Sequence, residues 1–168
     1  VIGVINKLDP SRTLIIVPAS LKINWKRELE KWLVVKKDIT LVSSKTNLIL
    51  EENIIIIVNY DILKKHIGTL IEVDWDMFVC DEAHYIKNYK AQRSKMVYEL
   101  MKKCHRKVLL TGTPILNRPI ELFPLINHLG ASFAKNLYTY AKRYCDASEG
   151  KYGWDFSGAS NLSELNDN

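Results

Sequence analysis

The stretch Met77-Phe78-Val79-Cys80-Asp81-Glu82-Ala83-His84 decides how this chain is read. Four apolar residues run without alternation and stop at two adjacent acids. A strand apolar on both faces belongs in a parallel sheet that helices cover on each side. Its acids then stand at the carboxyl end, where open parallel sheets bind their ligands. The same pattern recurs on either side. Thr13-Leu14-Ile15-Ile16-Val17 ends at Pro18, Ile54-Ile55-Ile56-Ile57-Val58 runs into Asn59-Tyr60-Asp61, and Val108-Leu109-Leu110 leads to Thr111-Gly112-Thr113-Pro114. Residues 39 to 42 are a shorter strand candidate.

Helical spacing fills the gaps. Val1, Val4, Ile5 and Leu8 read as the last turns of a helix that Asp9-Pro10 closes. Ser20 is placed to cap a helix in which Leu21, Trp25, Leu29, Trp32 and Leu33 share one face, with Lys22, Lys26, Arg27 and Lys31 opposite. On that face core packing is the expected role of both tryptophans. A short helix with Leu63 inward follows Asp61, and another presents Val97, Leu100, Met101 and Cys104. Pro119 opens a later helix with Ile120, Phe123 and Ile126 inward, and Pro124 predicts a kink or a late start. Strands alternating with helices, each strand apolar throughout, predict an α/β layer structure with a mostly parallel sheet. After Gly130 strand patterning stops, and aromatics mix with Gly and Ser. That change predicts a boundary between residues 1–130 and a helical and loop extension at 131–168.

Totals set limits. A chain of 168 residues fits one domain, and 47% hydrophobic with 26% charged residues is ordinary for a globular protein. The net charge of +5 agrees with a polyanionic partner without requiring one. Cys80, Cys104 and Cys145 are far apart and form no CxxC pair, so reduced thiols in an intracellular protein are expected. The longest apolar run is too short to span a bilayer, so no membrane partner is expected. The chain opens inside an apolar pattern on Val1, and the expectation is a fragment of a longer protein.

Adjacent Asp and Glu past a buried strand suit nucleoside triphosphate hydrolysis. One carboxylate holds Mg²⁺, usually through its waters, and a second group orients the attacking water. Asp81 would serve the metal and Glu82 the water. A bare Asp-Glu after a strand is also a common helix start. The full Asp-Glu-Ala-His arises by chance in a chain of this length on the order of once in a thousand, and Thr111-Gly112-Thr113-Pro114 follows a later strand on the same rim.

Asp81-Glu82-Ala83-His84-Tyr85-Ile86-Lys87-Asn88 resembles the DEAH box with its Ile-Lys-Asn extension in Swi/Snf-type members of helicase superfamily two. Leu109 to Asn117, containing Thr111-Gly112-Thr113, resembles motif III of that family, and Glu121-Leu122 its continuation. Ile15 to Leu21, with Trp25, Glu28 and Trp32, resembles motif Ia and its following helix. Asn59-Tyr60-Asp61 is similar to a later DNA-facing motif. Arg143 to Asp146, Gly153 to Gly158 and Ser160 to Leu162 resemble the annealing-helicase (HARP-like) branch.

The resemblance implies a RecA-like lobe with ATP and Mg²⁺ as cofactors and duplex or forked DNA as partner. It implies catalytic roles for Asp81, Glu82 and His84, the metal on Asp81, and coupling through Thr111, Gly112 and Thr113. DNA-backbone contacts are implied at Pro18, Ala19, Ser20, Lys22, Asn59, Tyr60, Lys87 and Asn88. The family's Gly-Lys-Thr phosphate loop occurs nowhere in these residues. That loop and a second motor lobe with its arginine finger are expected outside the chain, which alone should hydrolyse no ATP. The expected compartment is the cytoplasm or nucleoid of a bacterium or virus, or a eukaryotic nucleus. Another superfamily-two motor, or a non-catalytic DNA- or protein-binding module, remains open on these residues.

Overall fold

The structure, a computed structural model, describes residues 1–112, 118–151 and 153–167. Its elements run α1 (Ile2–Leu8), β1 (Arg12–Val17), a 3-10 turn (Ala19–Leu21), α2 (Lys22–Trp32), β2 (Asp38–Leu41) and β3 (Ile54–Asn59). Then come α3 (Leu63–Ile71), β4 (Met77–Cys80), a second 3-10 turn (Ala83–Ile86), α4 (Gln92–Lys102) and β5 (Arg106–Leu109). The remainder is α5 (Phe123–Leu129), α6 (Leu137–Tyr144), the short strands β6 (Ser148–Gly150) and β7 (Gly153–Asp155), and α7 (Leu162–Asp167).

The five long strands form one parallel sheet in the order β2-β3-β1-β4-β5. The unbroken apolar runs take the interior positions. Every residue of β3 and β4 is buried, as are Thr13 to Val17 of β1, whereas the edge strands β2 and β5 each begin at an exposed charge, Asp38 and Arg106. Alternate side chains feed two cores, as the pleat requires. Ile15, Val17, Ile55, Ile57 and Val79 meet Ile5 of α1 and Leu29 of α2 on one face. Leu14, Ile16, Ile56, Val58 and Phe78 meet Leu63 and Leu70 of α3 and Val97 and Leu100 of α4 on the other. With the sheet parallel, all carboxyl ends share one rim. From β1 the chain leaves toward β2, and from β4 toward β5, so the order reverses between these neighbours. That reversal opens the crevice in which open α/β sheets bind ligands.

Three sequence expectations are corrected. Ser20 does not cap α2. Leu21 holds the cap position without a side-chain cap bond, because Pro18 starts a 3-10 turn closed by Leu21 N–H to the Pro18 carbonyl at 3.0 Å. Trp32 is 55% exposed and gives its indole N–H to Glu28 at 3.0 Å, so it is not in the core. Strand structure does not stop at Gly130: β6 and β7 pair antiparallel. The late start foreseen at Pro124 is borne out, since Pro124 lies in the first turn of α5. A third core gathers Tyr140, Tyr144 and Cys145 with Ile120, Phe123 and Ile126, so packing crosses Gly130. Arg143 clamps Glu164 with two guanidinium nitrogens, and Ser160 and Asn161 both donate to the Arg143 carbonyl at 2.7 Å, fastening the C-terminal segment to α6.

Candidate nucleotide and DNA site at the strand rim

Asp81 leaves β4 beside β1, with its backbone N–H on the Ile16 carbonyl at 2.8 Å. Its Oδ1 accepts the Glu82 N–H at 2.9 Å, and its Oδ2 accepts the Trp25 indole N–H at 2.7 Å. The Tyr60 hydroxyl donates to its carbonyl at 2.6 Å. Glu82 takes a left-handed backbone (φ 51, ψ 51), which L residues other than Asn and Asp seldom adopt. The chain turns there into the 3-10 turn, and Ala83 N–H reaches the Leu110 carbonyl at 2.8 Å. The two neighbouring acids consequently point different ways.

His84 Nδ1 lies 3.1 Å from Glu82 Oε2 and 3.4 Å from Thr111 Oγ1. Carboxylate, imidazole and hydroxyl thus meet across the ends of β4 and β5. Gly112 is exposed beyond them. Thr113 lies outside the described residues.

The residues expected to face DNA divide into two groups. Ala19, Ser20 and Asn88 are exposed, and Pro18 is half-buried. Asn59 and Tyr60 are 6% and 4% exposed, which corrects their expected place on the surface. Asn59 accepts from Lys22 Nζ at 3.3 Å, and the Lys22 ammonium also donates to the Val42 carbonyl. Partial burial holds the Lys22 pKa below its ordinary value. Lys87 pairs with Glu121 at 2.9 Å, so any phosphate must compete with that carboxylate. Tyr60 turns inward because β1 lies between β3 and β4, which carries its hydroxyl to Asp81. The same hydroxyl lies 2.9 Å from Cys80 Sγ, and burial pushes that thiol up to about 12.

Trp25 was missed as a site residue. Its sequence spacing marks only an apolar helix face, and nothing local in the sequence states that α2 crosses the end of β4.

A family model for the SNF2-related domain matches residues 5–165. The chain belongs to that family. This SNF2-related domain is 39% identical over 163 residues to the mouse "DNA annealing helicase and endonuclease ZRANB3", covering 90% of this chain and 15% of the relative. It is 34% identical over 158 residues to the Xenopus laevis "SWI/SNF-related matrix-associated actin-dependent regulator of chromatin subfamily A-like protein 1", covering 90% of this chain and 16% of that protein. Its fold superposes on the "Sulfolobus solfataricus SWI2/SNF2 ATPase core in complex with dsDNA" with a TM-score of 0.74 and 27% identity, over 99% of this chain and 34% of that one. The domain therefore spans about a sixth of the curated relatives it matches. Among the described residues no helix is long and apolar enough to cross a membrane.

The residues present fit a magnesium-nucleotide. A carboxylate offers about four lone-pair positions, and among the described residues Asp81 takes one donor on each oxygen, which leaves it acceptor capacity for a metal's waters. Mg²⁺ keeps most of its waters and needs only one or two carboxylates besides the phosphates.

Proposed function

We propose that this SNF2-related domain is the first motor lobe of a DNA-dependent ATPase that moves along duplex or forked DNA and rewinds strands. The observation carrying the reading is the cluster of Asp81, Glu82, His84 and Thr111 on one rim of the sheet, beside the reversal between β1 and β4. Residues 1–130 form the lobe in this reading and 131–168 its family-specific extension. A phosphate loop, a second lobe and an arginine finger are supplied by the rest of the protein.

Bound Mg²⁺ would neutralise charge on the β- and γ-phosphates. Asp81 would hold the metal through its waters, and its backbone and side-chain bonds fix its orientation. Glu82, aimed elsewhere by its left-handed backbone, orients the attacking water and takes its proton. His84 steadies the Glu82 carboxylate and ties it to Thr111, so the state of the phosphates is felt at the end of β5. Phosphoryl transfer asks little covalent chemistry of the protein, and positioning of this kind is what the side chains contribute.

On the DNA side, the turn Pro18-Ala19-Ser20, exposed at Ala19 and Ser20, and the side chains of Lys22, Lys87 and Asn88 suit phosphates, whose contacts position a strand without reading its sequence. Asn59 and Tyr60 act behind that surface, Asn59 by orienting Lys22. The names of the relatives, one an annealing helicase and one a regulator of chromatin, support a motor that rewinds or remodels. The structural neighbour was solved in complex with double-stranded DNA, which supports a duplex track.

The full-length protein, given ATP and one forked substrate, should anneal strands held apart by a single-strand-binding protein and should displace few. Vigorous ATP-driven unwinding without rewinding would contradict the annealing part of the proposal.

A further inference from the structure

Among the described residues Asp81 is held at four points, and three of them are local or backbone restraints. Its N–H goes to Ile16, its carbonyl receives the Tyr60 hydroxyl, and its Oδ1 receives the N–H of the next residue. None of these reaches the second carboxylate oxygen, Oδ2. Oδ2 is gripped by the Trp25 indole N–H at 2.7 Å, a length typical of a bond to a charged acceptor.

That bond crosses the crevice at which strand order reverses. Trp25 arrives on α2 from the β1 side, and Asp81 arrives at the end of β4. Leu29, one turn further along α2, is fully buried against the sheet and fixes the helix. An indole N–H only donates and carries no charge. It can set the direction of the carboxylate without neutralising it, which a lysine in the same place would do. Trp25 is only partly buried, its ring packed against the core that holds Leu29 while its N–H turns to Asp81.

We propose that Trp25 is a positioning residue whose indole N–H holds the Asp81 carboxylate in the orientation that meets the magnesium of the bound nucleotide. The proposal rests on the reading of Asp81 as the metal carboxylate. Outer partners of metal-holding side chains typically contribute tenfold or more to metal affinity.

The test uses the full-length protein with Trp25→Phe, which keeps an aromatic ring and removes the donor, beside Asp81→Asn. Equilibrium binding of a fluorescent ATP analogue is followed across a Mg²⁺ series, with no turnover. Trp25→Phe should raise the Mg²⁺ needed for half-maximal binding by about tenfold, leave metal-free binding unchanged, and recover at high Mg²⁺. A lowered melting temperature with the wild-type Mg²⁺ requirement, while Asp81→Asn does raise that requirement, would overturn the role of Trp25 alone. If neither variant changes the requirement, the metal assignment of Asp81 fails and this role fails with it. Should Trp25→Phe not fold, tryptophan ¹⁵N-indole spectra decide. Asp81→Asn and Mg-nucleotide should displace the same indole signal, and Mg-nucleotide displacing none that Asp81→Asn displaces would overturn the proposal.

Discussion

At Glu82 the backbone carries a cost. A left-handed conformation disfavours an L side chain by about 1–2 kcal/mol, and Glu82 holds it at φ 51 because Ala83 is tied to Leu110 and its own N–H to Asp81. Strain of this sort persists where function needs the direction it gives a side chain. Glycine would adopt the same backbone freely, at the cost of a more flexible unfolded chain. Glu82→Gly should therefore raise stability by about 0.5–1 kcal/mol while removing ATP hydrolysis from the full-length protein. Thermal melts beside an ATPase assay check this, and a variant that melts below wild type would show that the carboxylate, and not the turn, stabilises the site. The pair Asp81-Glu82 was legible in the sequence because it follows a strand with no polar face. The left-handed turn was not, because no glycine or asparagine marks it.

Among the elements, the end of β3 acts through the end of β4. Tyr60 is almost fully buried, and its hydroxyl meets both the Asp81 carbonyl and the Cys80 thiol. Burial drives its phenol well above the ordinary range, so it remains a donor at any working pH. Tyr60→Phe takes the donor from a partly buried carbonyl and a hydroxyl from the buried Cys80 thiol, which costs about 1 kcal/mol or more. A drop of several degrees in melting temperature is the expected outcome, and a melt equal to wild type would contradict the tie. The sequence reading sent Tyr60 to the DNA face because strand ends on one rim look alike before their order is known. Only the placement of β1 between β3 and β4 turns the ring inward. Trp25 follows the same logic: its helical face was readable, but the strand it crosses was not. Ser20 shows the converse, since a good capping residue lost the cap to a 3-10 turn started by Pro18. Buried strands were legible from composition alone, and edge strand β2 emerged within a residue at each end.

For the whole molecule, the parallel sheet gathers residues distant in sequence onto one rim, and its reversal between β1 and β4 places Trp25, Asp81, Glu82 and His84 around one crevice. The α/β layering followed from the apolar runs. The segment after Gly130 was harder to read, because its third core borrows Ile120, Phe123 and Ile126 from before the compositional change. In the proposed function this rim hydrolyses ATP when completed by the rest of the protein. The most direct test is DNA-stimulated ATP turnover by the full-length protein and by its Glu82→Gln variant, with nucleotide binding measured alongside. Gln keeps the size and hydrogen bonding of Glu82 but cannot accept the proton of the attacking water. Turnover should fall by about a hundredfold or more with nucleotide and DNA binding largely retained. Turnover by Glu82→Gln at the wild-type rate would contradict the proposal.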